Sequence, residues 1–247
     1  MKRFNQIFYI FSIVIICNGC NYLDNYEKGN GYIITQKFNI DSFHRVSIGG
    51  NFEVLLVKSK TPLVEIETDE NLMRYIHVES NKGTLRISQS KNLFSRNKLK
   101  AIVHYSELER IMVSGAALVE NRGILKSEEI ELKLEGAGVV KLNVECNTMD
   151  VDLSGAGKVG LSGKTQNQRL KLSGAGGLDA YGLESEVCDI KVSGIGSAEV
   201  FVTHELTARL EGLGGIKYIG DPKIINSEIS GIGVIEKGTW DLNEIEN

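Results

Sequence analysis

The stretch Met149-Asp-Val-Asp-Leu-Ser-Gly-Ala-Gly-Lys-Val-Gly-Leu161 decides the fold of this chain of 247 residues. Its central tetrad, Ser154-Gly-Ala-Gly157, is one of seven similar tetrads. The other six are Ser114-Gly-Ala-Ala117, Glu135-Gly-Ala-Gly138, Ser173-Gly-Ala-Gly176, Ser193-Gly-Ile-Gly196, Glu211-Gly-Leu-Gly214 and Ser230-Gly-Ile-Gly233. Their first glycines stand at positions 115, 136, 155, 174, 194, 212 and 231, so the steps are 21, 19, 19, 20, 18 and 19 residues. A nearly constant step of this size predicts a stacked repeat.

Each tetrad lies between two runs of alternating polar and apolar residues. Met149, Val151 and Leu153 alternate with polar residues before the tetrad, and Val159 and Leu161 alternate after it. This period of two predicts a strand with one buried face on each side of the tetrad. The glycines are therefore expected at a corner, where the chain bends and neighbouring layers come close, and where a Cβ would be in the way.

Three short sides per turn of about 19 residues predict a coil whose layers pair in parallel and stack at ~4.8 Å. The third side is expected to be looser, because it contains the turn residues, such as Gly182-Leu-Glu-Ser185 and Gly220-Asp-Pro222. We predict an all-β fold, a right-handed parallel β-helix, since parallel crossovers are right-handed in nearly all proteins. A leucine-rich repeat has a similar length, but its L-x-x-L-x-L-x-x-N ladder is absent.

Stacking of the repeats also predicts two outward columns of charged and polar side chains. One column contains Lys133, Asp152, Lys171, Lys191, Arg209 and Glu228, and the other contains Glu131, Asp150, Arg169, Asp189, Thr207 and Asn226. The signs are mixed along and across the columns, so most charges are expected to have an opposite neighbour nearby. Exposed pairs of this kind are worth only ~0–1 kcal/mol each.

The chain divides into segments of different regularity. Residues 36–113 contain longer strands and larger insertions, and we expect them to cap or begin the solenoid, with Gly49-Gly50 as a degenerate tetrad. Residues 114–238 contain the β-helix repeats, and residues 239–247 form a C-terminal tail. A distinct first segment would cover the open strand edge of the coil, which otherwise invites aggregation.

The first twenty residues are expected to be an export signal. After a positive start, residues 7–17 are mostly apolar and too few to span a bilayer, which is typical of a secretory signal peptide. The ending Cys17-Asn-Gly-Cys20 resembles the bacterial lipoprotein box, although Cys17 stands where that box usually has Leu. The resemblance implies that residues 1–20 are a lipoprotein signal with Cys20 as the lipid (palmitate) acceptor. A polar stretch, residues 21–30, follows, so residues 21–35 are expected to be a flexible tether. An ordinary signal peptide cut nearby is the alternative.

The two remaining cysteines are expected to be isolated structural thiols. Cys188 lies six residues before a tetrad glycine, where other repeats have Ile130, Met149 or Leu206, so it is expected to be buried. Cys146 lies about two layers away, or ~10 Å, which is beyond the reach of a disulfide.

No pattern in the sequence points to catalysis or to a cofactor. The pair Asp150 and Asp152, one layer from Arg169 and Lys171, is the nearest approach to a carbohydrate-active site, and charge complementarity between layers explains it. Asp179 follows a glycine-rich run that is superficially similar to a calcium repeat of a different length. We therefore expect no enzyme, no metal and no cofactor.

Other residue types that often carry function have simpler explanations here. The four histidines, His44, His77, His104 and His204, lack metal-site spacing. The tetrad serines are expected to form a hydrogen-bonded ladder at the corner rather than nucleophiles. The net charge of −4 and the absence of a basic stripe argue against nucleic acid as a partner.

The chain resembles the putative autotransporter adhesin head GIN domain family. The resemblance rests on the tetrads and on three further stretches, Phe43-His-Arg-Val-Ser-Ile-Gly-Gly-Asn-Phe-Glu-Val-Leu-Leu56, Glu65-Ile-Glu-Thr-Asp-Glu-Asn-Leu72 and Gly83-Thr-Leu-Arg-Ile87, and it covers roughly residues 36–238. It implies a β-helical envelope protein, often a lipoprotein of Bacteroidetes-type bacteria. The family's tetrad is often followed by Asp, which is replaced here by residues such as Lys158, so a metal-binding acidic ladder is not expected.

Three functions are compatible with these observations. The first is a non-enzymatic, adhesin-like or ligand-binding lipoprotein at the cell surface, anchored in the outer membrane, whose partner is a glycan, a protein or another copy of the chain. The second is a structural or stress-related envelope protein that faces the periplasm. The third, a polysaccharide-active β-helix enzyme, has the least support.

Overall fold

The computed structural model describes residues 26–239, and these residues form a β-solenoid. They contain no α-helix, and the only helical turn among them is a 3₁₀ turn at Met73–Tyr75. No helix of this part of the chain could therefore cross a bilayer. The strands are β1 (Tyr26–Lys28), β2 (Ile33–Asn39), β3 (Arg45–Gly49), β4 (Glu53–Lys58), β5 (Leu63–Asp69), β6 (Ile76–Asn81), β7 (Thr84–Gln89), β8 (Asn92–Phe94), β9 (Lys100–Tyr105), β10 (Arg110–Val113), β11 (Leu118–Arg122), β12 (Leu125–Leu134), β13 (Val139–Leu153), β14 (Lys158–Leu172), β15 (Ala175–Val192), β16 (Ile195–Leu210), β17 (Leu213–Ile219), β18 (Ile224–Ile229) and β19 (Ile232–Lys237).

The predicted stacking of parallel layers is confirmed. The solenoid has about seven turns of ~19 residues, and β13 pairs in parallel with β14 from Val139 opposite Lys158 to Leu153 opposite Leu172. The register shifts lie elsewhere, between Gly160 and Ser162 in the β14–β15 pair and between residues 180 and 187 in the β15–β16 pair. The shift in the β15–β16 pair lies on the third side, which the sequence predicted to be looser, whereas the shift in the β14–β15 pair lies on the side that follows the tetrad.

The glycines lie at the corner because two layers touch there. A Cβ on Gly155 would lie 2.0 Å from the carbonyl oxygen of Gly136, and a Cβ on Gly174 would lie 1.9 Å from that of Gly155. The carbonyl of Gly136 also accepts a hydrogen bond from the Ala156 N–H at 3.0 Å, so the layers cannot separate without losing it. The predicted reason for the tetrad, close approach of neighbouring layers, is confirmed.

The core of the coil is built from columns of apolar side chains, one residue per layer. In one column Val140 lies opposite Val159, which lies opposite Leu178, and all three are buried. Each fully buried aliphatic side chain contributes roughly 1.5–3 kcal/mol relative to an exposed one. The alternation that was visible in the sequence is therefore the alternation between this core and the surface.

The first segment joins the coil out of chain order. The layer of β3 and β4 lies between the layer of β7 and β9 and the layer of β10 and β11. A Cβ on Gly115 would lie 2.0 Å from the carbonyl oxygen of Gly50, so Gly49-Gly50 takes the place of a tetrad, as predicted. The antiparallel strands β2, β5 and β6 then follow at this end.

One strand lies within the stretch predicted to be a tether, residues 21–35, and a second strand begins there. β1 pairs with β8, and β2 begins at Ile33 and pairs with β5. The ordered fold thus begins ahead of residue 36. The predicted signal peptide, its predicted lipid acceptor Cys20 and the residues beyond Thr239 lie outside the described residues.

Candidate functional site

The two outward columns form a single charged face on one side of the coil. We use "charged face" for the side chains of Glu131, Lys133, Asp150, Asp152, Arg169, Lys171, Asp189, Lys191 and Arg209. The register places each of them opposite its predicted neighbour in the next layer. Together they line a shallow depression of about 420 Å³.

The centre of the charged face is a bidentate ion pair. Arg169 donates from Nη2 to Asp150 Oδ2 at 2.6 Å and from Nε to the second carboxylate oxygen, Oδ1. The guanidinium also lies 3.5 Å from Glu129 Oε1, which belongs to the layer beyond. The hydrogen bonds from Arg169 to Asp150 raise the pKa of the guanidinium above its usual value. The two hydrogen bonds fix the Arg169 guanidinium against the Asp150 carboxylate of the preceding layer. They contribute little stability, because the pair is exposed to solvent.

Asp152 is held differently from Asp150. Its Oδ2 lies 3.6 Å from Lys171 Nζ, whereas its Oδ1 is shielded from solvent and accepts no hydrogen bond from the described residues. The structure thus brings together the four residues that the sequence offered as an acid–base site. Arg169 occupies Asp150 with two hydrogen bonds, which is the geometry of a pair that sets register rather than of a carboxylate free to exchange a proton.

The tetrad serines do not form the predicted ladder. Ser154, Ser173 and Ser193 are exposed, and within residues 26–239 none of their hydroxyls makes a hydrogen bond. Only Ser114 bonds at the corner, donating to the carbonyl of Ile48 at 3.3 Å. The prediction was wrong because the first tetrad position points outward, so its hydroxyl faces solvent instead of the next layer.

The remaining candidates lie apart from each other. Asp179 accepts a hydrogen bond from the backbone N–H of Tyr181 at 3.2 Å, beside the register shift in β15. His104 lies 3.2 Å from Glu65 Oε1, and His44 packs over Gly83. Across residues 26–239, no three His, Cys, Asp or Glu side chains converge in a way that could hold a metal ion.

A second concave surface lies where the first segment meets the repeats. It has a volume of about 940 Å³, and we call it the junction groove; its charged lining residues are Arg45, Lys58, Glu107, Glu109, Arg110, Lys126, Glu128, Glu129, Glu131 and Glu145. It exists because β4 ends at Lys58 and the chain then leaves the coil. Among residues 26–239, the third side of the next layer, Leu125–Ser127, therefore pairs only with β13.

The junction groove is more acidic than the charged face. Six glutamates face four lysines and arginines, and Glu107 and Glu109 have no ion-pair partner within the described part of the chain. Sequence reasoning missed this groove. The repeat pattern says nothing about which layer the chain skips, and only the three-dimensional order of β4, β10 and β12 creates the gap.

The two cysteines of the repeats are free and buried, as predicted. Burial raises the pKa of both thiols, and most strongly that of Cys188, which lies deepest in the core. Cys146 lies near Thr165 Oγ1, with its sulfur at 3.5 Å. Neither thiol is in the thiolate form that would make it a nucleophile or a metal ligand at neutral pH.

Comparison with known proteins places this geometry in a family. The family described as "Putative auto-transporter adhesin, head GIN domain" matches residues 42–222, which include the coil up to β17 and most of the first segment. No curated protein matches the chain significantly.

Several solved structures share the fold. A crystal structure of a putative adhesin from Bacteroides fragilis is 24% identical in sequence, with a TM-score of 0.82, covering 86% of this chain and 100% of its own. A putative adhesin from Parabacteroides merdae is 22% identical with a TM-score of 0.65, covering 87% and 100%. A putative lipid binding protein from Parabacteroides distasonis is 20% identical with a TM-score of 0.69, again covering 87% and 100%.

Proposed function

We propose a function for this chain from its family, since the chain belongs to the putative auto-transporter adhesins with a head GIN domain. The proposed function is that of a non-enzymatic, adhesin-like binding module of the cell envelope. In this proposal the solenoid is a rigid support, the charged face is the recognition surface, and Cys20 anchors the chain in the outer membrane. The ligand is a glycan or a protein on a cell surface.

The observation that carries this proposal is the ordered charge pattern of the charged face. Charged side chains recur at each layer on a scaffold whose spacing of ~4.8 Å is set by backbone hydrogen bonds. Such a surface is preorganised, so a ligand with matching charges would bind without ordering a loop first. The mixture of signs favours selectivity over attraction at long range, since opposite charges near each other cancel beyond about a Debye length, ~8–10 Å.

Charge reversal tests the recognition surface. We expect the double variant Lys171→Glu/Lys191→Glu to lose binding to a glycan array and to intact bacterial cells, because both cations belong to the charged face. The matched control is Lys141→Glu/Lys164→Glu, which reverses two exposed, ion-paired lysines on other sides of the coil. Equal binding by both double variants would show that the charged face is not the recognition surface.

A structural, periplasm-facing role is the second candidate. It is favoured by the self-neutralisation of the charged face, where Arg169 and Arg209 are already paired with Asp150 and Asp189. Protease treatment of intact cells separates the two roles. A surface module is digested, whereas a protein that faces the periplasm stays protected until the outer membrane is permeabilised.

A further inference from the structure

We propose that the end of the solenoid formed by β1, β2 and β8 docks flat on the surface of an anionic phospholipid bilayer. We call this surface the aromatic end patch, and its members are Tyr26, Lys28, Tyr32, Ile33, Arg74, Lys91, Phe94 and Arg96. The proposal rests on the proposed anchor at Cys20 only for its orientation. Its chemistry is argued from the patch itself.

The aromatic end patch contains every strongly exposed aromatic side chain among residues 26–239. Tyr32 is 73% exposed, Phe94 56% and Tyr26 50%, whereas the other strongly exposed large apolar side chains in this range are aliphatic. β1 and β8 are paired so that Tyr26 lies opposite Asn92 and Lys28 lies opposite Phe94 on one outward face. Tyrosine and phenylalanine with neighbouring lysines are the composition that membrane proteins use at the boundary between headgroups and acyl chains.

The patch is held in shape by a buried carboxylate. Asp69 is 1% exposed, and it accepts the Gly31 N–H at 2.6 Å and the Ser95 hydroxyl. Gly29 packs directly against it, since a Cβ there would lie 2.3 Å from the carboxyl carbon. The carboxylate ties the segment before β2 to the segment after β8, so the aromatic side chains at both ends project from a fixed surface.

The cations of the patch have few carboxylate partners. Lys28 and Arg96 are exposed and make no ion pair within residues 26–239, and Arg74 lies over the Tyr75 ring at 5.2 Å. Lys91 pairs with Glu27 at 2.7 Å and lies 4.8 Å from the same ring. The carboxylates beside these four cations are the half-buried Glu27, the exposed Glu70 and the buried Asp69, so this end is net positive in a chain whose net charge is −4. Unpaired cations gain about 1 kcal/mol each beside an anionic membrane surface.

The position of the patch fits a membrane better than another partner. Only five residues separate Cys20 from Tyr26, so six extended steps of ~3.3–3.6 Å limit the distance to roughly 20 Å. An acylated Cys20 would therefore keep this end, and not the opposite end at β18 and β19, against the bilayer.

Docking can be read from a fluorophore at the patch. The mature lipidated protein, purified and reconstituted into phosphatidylglycerol vesicles, is labelled with the fluorophore NBD at Phe94→Cys or, as a matched control, at Ile232→Cys. Both positions carry exposed apolar side chains, but Ile232 lies at the opposite end of the coil. We expect blue-shifted NBD emission that doxyl-labelled lipids quench at position 94, and neither effect at position 232.

A second pair of variants separates electrostatic docking from simple proximity. Lys28→Ala/Arg96→Ala should lower the docked-to-undocked ratio at position 94 about 30-fold on anionic vesicles, as expected for two cations of ~1 kcal/mol each. Lys217→Ala/Lys223→Ala, at the other end, should leave it unchanged. Replacement of phosphatidylglycerol by phosphatidylcholine should also lower the docked-to-undocked ratio at position 94.

The outcomes distinguish the docking from the anchor. Equal solvent exposure at positions 94 and 232 would overturn the proposal. Blue-shifted NBD emission at position 94 in the absence of vesicles would also overturn it, because a second copy or another protein would then cover the patch. If Cys20 carries no acyl chain but added anionic vesicles still shift the emission at position 94, the anchor fails and the docking surface stands.

Discussion

The first glycine of each tetrad is fixed by a carbonyl oxygen of the preceding layer. This contact is backbone against backbone, so no side chain can rotate away to make room, and the neighbouring layers are held by hydrogen bonds on both sides of the corner. The residue is therefore dictated by packing at the corner and not by a need for an unusual backbone angle at each of these sites.

Replacement by alanine should therefore have very different effects on stability at two glycines of neighbouring layers, Gly155 and Gly177. A Cβ on Gly155 would lie 2.0 Å from the carbonyl oxygen of Gly136, whereas a Cβ on Gly177 would meet nothing within 4 Å. We expect Gly155→Ala to lower the free energy of unfolding by about 3 kcal/mol, and Gly177→Ala to change it by less than ~0.5 kcal/mol. Urea denaturation followed by circular dichroism measures both, and similar losses would contradict the corner contact.

The buried thiols connect stability to pH. Burial raises the pKa of Cys188 far above its usual value, so the thiol stays protonated in the folded state while it ionises in the unfolded state above about pH 8.5. The unfolded state then binds fewer protons, and stability falls as the pH rises. Between pH 8 and 10 we expect the wild type to lose about 2 kcal/mol more than Cys188→Ala.

Denaturation curves of the two proteins at several pH values measure this difference. The comparison is between slopes, since the substitution also changes the absolute stability at every pH. Parallel pH dependences would mean that Cys188 is as ionisable in the folded state as in the unfolded state, and would contradict its burial.

One core residue could not have been predicted from the sequence. Gln168 shares a column with Met149 and Cys188 and is buried, although its neighbours are apolar. Its Nε2 donates to the carbonyl of Leu183 at 2.8 Å, beside the register shift in β15, while its Oε1 has no partner in the described residues. The amide thus compensates for an irregularity whose position no periodic pattern reveals.

At the scale of elements, the repeats were predictable and the first segment was not. Each repeat strand pairs with a neighbour about 19 residues away, so spacing alone gives the register. By contrast, Arg45 pairs with Arg110 and Thr84, over separations of 65 and 39 residues. Such long-range pairings depend on the path of the whole segment, which local alternation does not encode, and the junction groove is their direct result.

The strands of the coil should differ in stability according to their neighbours. β14 is paired on both sides, with β13 and β15, whereas β18 pairs within the described residues only with β16, and its side chains are exposed. In a stacked coil local stability comes from such nearest-neighbour contacts. We expect amide hydrogen exchange to be slowest in β14 and fastest in β18 and β19.

Hydrogen exchange followed by mass spectrometry gives this order directly. If β18 exchanged as slowly as β14, another part of the chain or a second copy would have to cover the last layer. That result would contradict the open end seen at Ile229 and Ile232.

The whole molecule is a coil whose fold is shared by other members of its family. The charged face and the aromatic end patch lie on different parts of this coil. In the proposed arrangement the aromatic end patch faces the bilayer while the coil projects from it, so that the charged face stays accessible to a ligand. The orientation of the coil in this arrangement depends on the attachment of the chain at Cys20.

Metabolic labelling tests that attachment most directly. Cells that express the chain are fed an alkyne analogue of palmitate, and the exported protein is captured and coupled to a fluorophore. We expect label on the wild type, in the membrane fraction, and none on Cys20→Ser. An exported wild-type chain without label, or equal label on Cys20→Ser, would contradict this attachment.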